Sequence, residues 1–369
     1  MSQGKFISAQ AAPEFASANR KPKQRAVVVA PGRGCYGKDE LGYLSRYHSD
    51  KVHFIKHIDD YRKACGQLSI ASLDSQAKYS FKLHTPGENA SALIYACAMA
   101  DFNDINLDHF DIVAVTGNSM GWYIAMALAG ALNEDAAIRV INTMGSMMSQ
   151  GLIGGQLIYP EMDDTWRPCP LKTALIEQVL QAASYKEGCE LFTSIYLGGY
   201  RVLAGNDAGL ALAEAMLPNI DDRYPLRLYN HGAFHSPLMQ GISASGMAQL
   251  PLSLFTSPHI PLIDGEGRIW AQHSTDVSQL RQYTLEHQVI APYDFTKAVE
   301  VAIKEFAPDR VIVLGPGNSL NAPVAQSLMG FGAFGWHQKT DFTSTKSSTT
   351  EPILIAMGNA EQRSYATLI

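Results

Sequence analysis

The sequence has no Cys-x-x-Cys pair: its five cysteines (Cys35, Cys65, Cys97, Cys169 and Cys189) are an odd number scattered over 369 residues. That excludes a zinc ribbon and a disulfide framework, and it suits a reducing compartment. Nor does any apolar run approach the ~18 residues of a membrane-spanning helix. Positive charge is not in excess either: 29 Lys+Arg against 35 Asp+Glu leave −6, so the chain has no net attraction for nucleic acid. The first 25 residues carry no apolar stretch of the secretory kind and read as a disordered tail. What is present is ordinary globular material, 46% hydrophobic and 17% charged, in a length that suggests two domains or one with an insertion. The expectation is a soluble, cytoplasmic protein with ample substance for a core.

Three short β-branched runs, Ala26–Ala30, Ile112–Val115 and Val311–Leu314, are each followed within two residues by glycine. Such runs suit strands buried on both faces of a parallel sheet, with working loops at their C-terminal ends. The middle of the chain has another rhythm. An apolar run at Ile153–Tyr159 precedes a helical pattern over Leu171–Ala183. Two strand-like runs, Glu190–Leu197 and Tyr200–Ala204, are followed by a helical pattern over Asp207–Met216 and a last run over Tyr224–Tyr229. The order βαββαβ is that of a ferredoxin-like unit. The fold class is therefore α/β: a large domain over residues 26–145 and 206–335, and an inserted ferredoxin-like subdomain over 146–205, its last strand reaching to 229. Residues 336–369, with the Ser/Thr-rich stretch Thr340–Thr350, read as a linker and tail.

Gly117-Asn118-Ser119-Met120-Gly121 fits Gly-x-Ser-x-Gly, and it lies between a strand-like run and a helical segment, as a nucleophile elbow requires. The flanking glycines leave room for a sharp turn that lifts the Ser119 hydroxyl to a helix N-terminus, where the Met120 N–H can face a developing oxyanion. A plain capping serine is the bland alternative. Serine needs a base, and His235 in Gly232-Ala233-Phe234-His235-Ser236-Pro237 lies where the insert returns to the large domain.

The segments "VVVAPGRGCY", "GNSMGWYIAMALAGAL", "GAFHSPLM", "QVIAPYDFTKAV" and "VIVLGPGNSLNAPV" follow one another in that order. Over about residues 26–330 they resemble the malonyl-CoA:acyl-carrier-protein transacylase family, which includes the acyltransferase domains of fatty-acid and polyketide synthases. The resemblance implies an α/β-hydrolase-like body with an inserted ferredoxin-like subdomain. It further implies ping-pong transfer of an acyl group from coenzyme A to the phosphopantetheine thiol of an acyl carrier protein. No cofactor is held permanently, coenzyme A thioester is substrate, and no metal is needed. Ser119 would be the nucleophile, His235 the general base, and Gln288 the source of the carbonyl that holds the histidine's other nitrogen. Arg33 would complete, by its backbone N–H, the oxyanion hole begun by Met120.

The departures from the family pattern concern substrate binding. Asn118 and Trp122 replace the usual histidine and glutamate beside the serine, and Met144 stands where the family has its malonyl-binding arginine. Met144 predicts a preference for a short uncharged acyl group, unless Arg201 or Arg268 folds into the pocket. Phe234 resembles the residue that accompanies malonyl selection, and its ring would crowd an α-branch. Trp122 and Phe234 are expected to shield an ester at Ser119 from water. Three other functions fit parts of the sequence. One is an acyl-thioester hydrolase on the same fold that clears carrier proteins, and another is a catalytically silent docking module. The third is an NAD-dependent oxidoreductase, since Gly32-Arg33-Gly34-Cys35-Tyr36-Gly37 is a literal Gly-x-Gly-x-x-Gly with Asp59 and Asp60 downstream. His53 and His57 share a helical face without the glutamate of a zinc motif.

Overall fold

In a computed structural model, residues 22–149, 153–346 and 351–367 are described. The main sheet holds β1 (Gln24–Ala30), β2 (Phe110–Gly117), β7 (Leu262–Ile263), β8 (Ile269–Trp270), β10 (Arg310–Val313) and β11 (Leu354–Ala356). Their order is β11-β10-β1-β2-β7-β8, parallel except for β8. Val27, Val28 and Val29 of the central strand are buried, as expected for a strand covered by helices on both faces. The second sheet comprises β3 (Gly155–Pro160), β4 (Leu191–Leu197), β5 (Tyr200–Gly205), β6 (Leu226–Arg227) and β9 (Tyr293–Asp294), in the order β6-β3-β5-β4-β9. Its first four strands are antiparallel and carry helices Pro170–Ser184 and Asp207–Met216, the ferredoxin-like arrangement. The two-residue β9, from the large domain, pairs parallel with β4 and ties the two domains together.

The expected domain limits need two corrections. Helix Asp207–Met216 belongs to the insert, because Leu210 and Ala213 fill the same small core as Leu157, Ile176 and Leu203. The insert therefore continues past residue 205, to Arg227 of β6. The stretch from 336 onward is not a linker and tail. Residues Lys339–Lys346 are helical, Phe342 packs against Trp336 and Trp166, and β11 pairs with β10 in the main sheet. The closing helix Ala360–Thr367 brings Arg363 into a buried group with Asp101, Asp104, His48 and Tyr43. Most of the proposed N-terminal tail, residues 1–21, lies outside the described residues, while Gln24 and Arg25 already belong to β1. Among the described residues no helix is long and apolar enough to cross a membrane, and no cluster of His, Cys, Asp and Glu could hold a metal ion.

Candidate active site

β2 ends at Gly117 and helix Gly121–Leu128 begins four residues later. The turn between them admits no Cβ at either glycine: one on Gly117 would lie 2.1 Å from the Gly121 carbonyl oxygen, and one on Gly121 would lie 2.5 Å from that of Ala30. Ser119 is forced to φ +56°, the left-handed region that non-glycine residues avoid. Its hydroxyl is presented at the start of the helix. Among the described residues neither the Met120 nor the Arg33 backbone N–H has an acceptor, so both donors stand free. The β1 loop that carries Arg33 is pressed onto the elbow, since a Cβ on Gly32 would lie 2.6 Å from the Asn118 carbonyl oxygen. Behind it, Gly317 admits no side chain against the Cys35 carbonyl (2.3 Å), so the Gly315-Pro316-Gly317 turn braces this loop.

His235 faces the serine, also at positive φ (+55°). Its Nε2 is 2.7 Å from Ser119 Oγ, and its Nδ1 is 2.6 Å from the backbone carbonyl of Gln288. A carbonyl only accepts, so Nδ1 carries the hydrogen; the neutral ring then offers its Nε2 lone pair to the Ser119 hydroxyl. Burial pushes the His235 pKa down to about 4, against the opposing bond to Gln288. The ring is therefore neutral at neutral pH, with its Nε2 lone pair open to the Ser119 proton.

Several supporting groups give no signal in the sequence. Tyr293 donates to the Gly117 carbonyl (2.5 Å), and its ring lies 5.6 Å from that of His235. Tyr123 donates to the Gln288 side-chain carbonyl, and the Gln288 amide donates to the Ser119 carbonyl. From the insert, Gln156 contacts His231 through its carbonyl and donates to Ser194, which donates to the Phe234 carbonyl. Tyr123 and Tyr293 stand next to recognisable motifs. Gln156 and Ser194 sit in strands of no particular pattern, and only the fold brings them here.

A narrow pocket opens onto Ser119. Arg33, Met120, Phe234, His235 and Gln288 line it, together with Ile141, Gly145 and Met148 of helix Glu134–Met147 and its C-terminal end. Three of the expected substrate-binding residues are not there. Met144 points the other way, its sulfur lying 3.0 Å from where a Cβ on Gly246 would sit. Trp122 is core, donating to Thr284 (3.0 Å) and meeting the Tyr283 ring edge-on, so it shields nothing at the ester. Asn118 is buried against Gly32 behind the elbow. Arg201 is held by both oxygens of Glu161, and Arg268 lies over Trp270, so neither enters the pocket. Beside the pocket, a cleft of about 930 Å³ shares Arg33 and is lined also by Lys38, Lys78, Phe81 and Tyr229.

The dinucleotide motif has no dinucleotide geometry. The helix that follows it, Tyr43–Tyr47, is five residues long and starts beyond the glycines. Asp59 caps the N–H of Ile70, and Asp60 pairs with Lys56.

No protein-family model matches the chain. Among solved structures it superposes on a malonyl-CoA:acyl carrier protein transacylase from Xanthomonas oryzae pv. oryzae (TM-score 0.69, 18% identity), covering 94% of this chain and 98% of that one. It also superposes on a structure of a type II polyketide-synthase acyl-carrier protein in complex with its malonyl-transacylase (TM-score 0.70, 16% identity), covering 94% and 99%. The chain has the fold of the malonyl-CoA:acyl-carrier-protein transacylases. Relatives by sequence bear the same family name: the malonyl CoA-acyl carrier protein transacylase of Bacillus subtilis (strain 168) is 22% identical over 208 residues, 56% of this chain and 62% of that protein. A polyketide synthase of Streptomyces halstedii is 26% identical over 210 residues, 56% of this chain and 4% of that protein. The match thus spans less than two thirds of each of these relatives. In this transacylase fold the elbow, the histidine loop and the Gln288 carbonyl converge on one pocket at the C-terminal end of β2.

Proposed function

We propose that the protein transfers an acyl group from coenzyme A to the phosphopantetheine thiol of an acyl carrier protein, through an ester on Ser119. The observation that carries this reading is the 2.7 Å contact of Ser119 Oγ with His235 Nε2, in a ring whose tautomer is fixed by Gln288. In the first half-reaction Oγ attacks the thioester carbonyl carbon while Nε2 takes the hydroxyl proton. The carbonyl oxygen, now negative, receives the free N–H groups of Met120 and Arg33. The C–S bond then breaks, and the proton on Nε2 goes to the coenzyme A sulfur. In the second half-reaction the pantetheine thiol gives its proton to Nε2 and attacks the ester, and Oγ leaves with that proton. Phe234, in the pocket lining, crowds an α-branch on the acyl group. The Arg33 side-chain substitution costs the oxyanion hole nothing, since the donor is backbone.

The acceptor is inferred from the relatives' names and from Lys38 and Lys78 beside the pocket, which suit an acidic carrier protein. Such carriers and acyl-CoA meet in the cytoplasm, where we place the reaction. A catalytically silent docking module would have no use for a neutral, serine-bonded histidine. The test is incubation with acyl-CoA and holo carrier protein, following acyl transfer to the carrier against free acid. Transfer that disappears in Ser119→Ala supports the reading. Release of free acid at a rate the carrier does not change contradicts it in favour of a hydrolase.

A further inference from the structure

The Ser119 pocket contains a cation with nothing to pair with. Arg33 Nη2 donates to the carbonyls of Thr85 and Asn230 (3.0 Å each), and the guanidinium carbon lies 5.2 Å from the centre of the Phe234 ring. Those contacts fix its plane. Nη1 is withdrawn from solvent and has no hydrogen-bond partner among the described residues. It faces the first residue of the 17-residue helix Gly87–Asn103, where a Cβ on Gly87 would come within 3.5 Å of it and within 2.6 Å of the Gly145 carbonyl oxygen. The positive end of that helix thus adjoins the guanidinium. Burial lowers the Arg33 pKa to about 10 and no acidic group opposes the shift, so the side chain stays charged without a counter-ion. Arg33 as a whole is half-buried, but a charge whose Nη1 is shut off from water without a partner is costly, and a ligand anion would relieve it.

We propose that Arg33 receives the free carboxylate of the acyl group, so that the group carried by Ser119 ends in a carboxylate, malonyl being the simplest case. The proposal rests on the acyl-enzyme reading above. It reverses the preference for an uncharged chain that Met144 suggested, because Met144 lies outside the pocket while a guanidinium from another loop lies inside it. The guanidinium is planar and offers directed donors, which a carboxylate matches. Phosphate groups of coenzyme A are the other anions within reach, since Arg33 also borders the wider cleft.

The test compares initial rates of acyl loading by intact-protein mass spectrometry, with malonyl-CoA and acetyl-CoA at equal concentration. The unaltered chain is expected to load malonyl at least about tenfold faster. Arg33→Met should lower the malonyl-to-acetyl ratio by about 10- to 100-fold, the worth of a charged hydrogen bond, and Arg33→Lys should restore part of it. A ratio near one in the unaltered chain overturns the assignment. So does a ratio that Arg33→Met leaves in place while both rates fall, which is the signature of phosphate binding or a structural role. If Arg33→Met does not fold, malonyl-CoA is compared with its carboxylate methyl ester on the unaltered chain. Slower loading of the ester is expected, and equal rates overturn the proposal. Loading of no acyl group at all contradicts the Ser119 ester itself, and Arg33 with it.

Discussion

His235 Nδ1 meets the backbone carbonyl of Gln288 at 2.6 Å because Pro292 ends the helix there. The helical stretch Gln288–Ile290 stops with Ala291 in extended geometry (φ −121°, ψ 157°), the conformation favoured before proline. Continued by one residue, the helix would direct an N–H at the Gln288 carbonyl; proline has none to give. Pro292→Ala is therefore expected to let that N–H compete with His235. Loading should slow about tenfold with little change in melting temperature, as a misaligned base costs part of the general-base contribution. Unchanged loading would show that the carbonyl's freedom does not depend on the proline.

The depressed pKa of His235 sets the pH dependence. The base is active when neutral, so kcat/KM for loading should be flat from about pH 5 upward and decline only as pH falls through about 4. A midpoint near the ordinary histidine value, about 6.5, would mean that the ring is solvated in the working enzyme.

Ser194 links the insert to the catalytic loop. Ser194→Ala leaves the Phe234 carbonyl and the Gln156 amide without that partner in a buried place, at a cost of about 1–3 kcal/mol. Because Phe234 precedes His235, loading should slow as well. Thermal unfolding and loading rates, measured on one preparation, check both effects. A purely structural role would change stability alone.

The parts of this molecule that were legible in the sequence are those where chemistry constrains residue type at fixed spacing. The glycines around Ser119 are required by contacts of 2.1 and 2.5 Å, so the elbow could be read from a linear pattern. The strand at Val27–Val29 is buried on both faces, and its composition says so. A motif position does not fix where a side chain points, however. Met144 and Trp122 stand at the positions expected of pocket residues, yet the helices that carry them turn both into the core. The motif position of Arg33 speaks only for its backbone N–H, and the place of its side chain depends on Thr85, Asn230 and Phe234, which the fold brings around it. The three residues of β11 are too short a run to signal a strand, and their order comes from pairing with β10.

The closing helix supplies a prediction of its own. Arg363 pairs with Asp101, which is fully buried, and with Asp104 at 2.9 Å. Arg363→Ala would remove one partner of the buried Asp101, which keeps His48, Tyr43 and the Gly315 N–H, and is expected to destabilise the fold by about 1–3 kcal/mol. Denaturant unfolding measures this. A loss under about 1 kcal/mol would mean that His48, Tyr43 and the Gly315 N–H suffice to hold the Asp101 carboxylate.

Acyl transfer by this site requires an ester at Ser119. The direct measurement is intact-protein mass spectrometry after incubation with acyl-CoA, followed by peptide mapping of the modified residue. The mass is expected to rise by one acyl group located on Ser119. The increase should be absent in Ser119→Ala, slowed about 10²–10⁴-fold in His235→Ala, and discharged by holo carrier protein. No adduct, or an adduct at another residue that persists in Ser119→Ala, would contradict it.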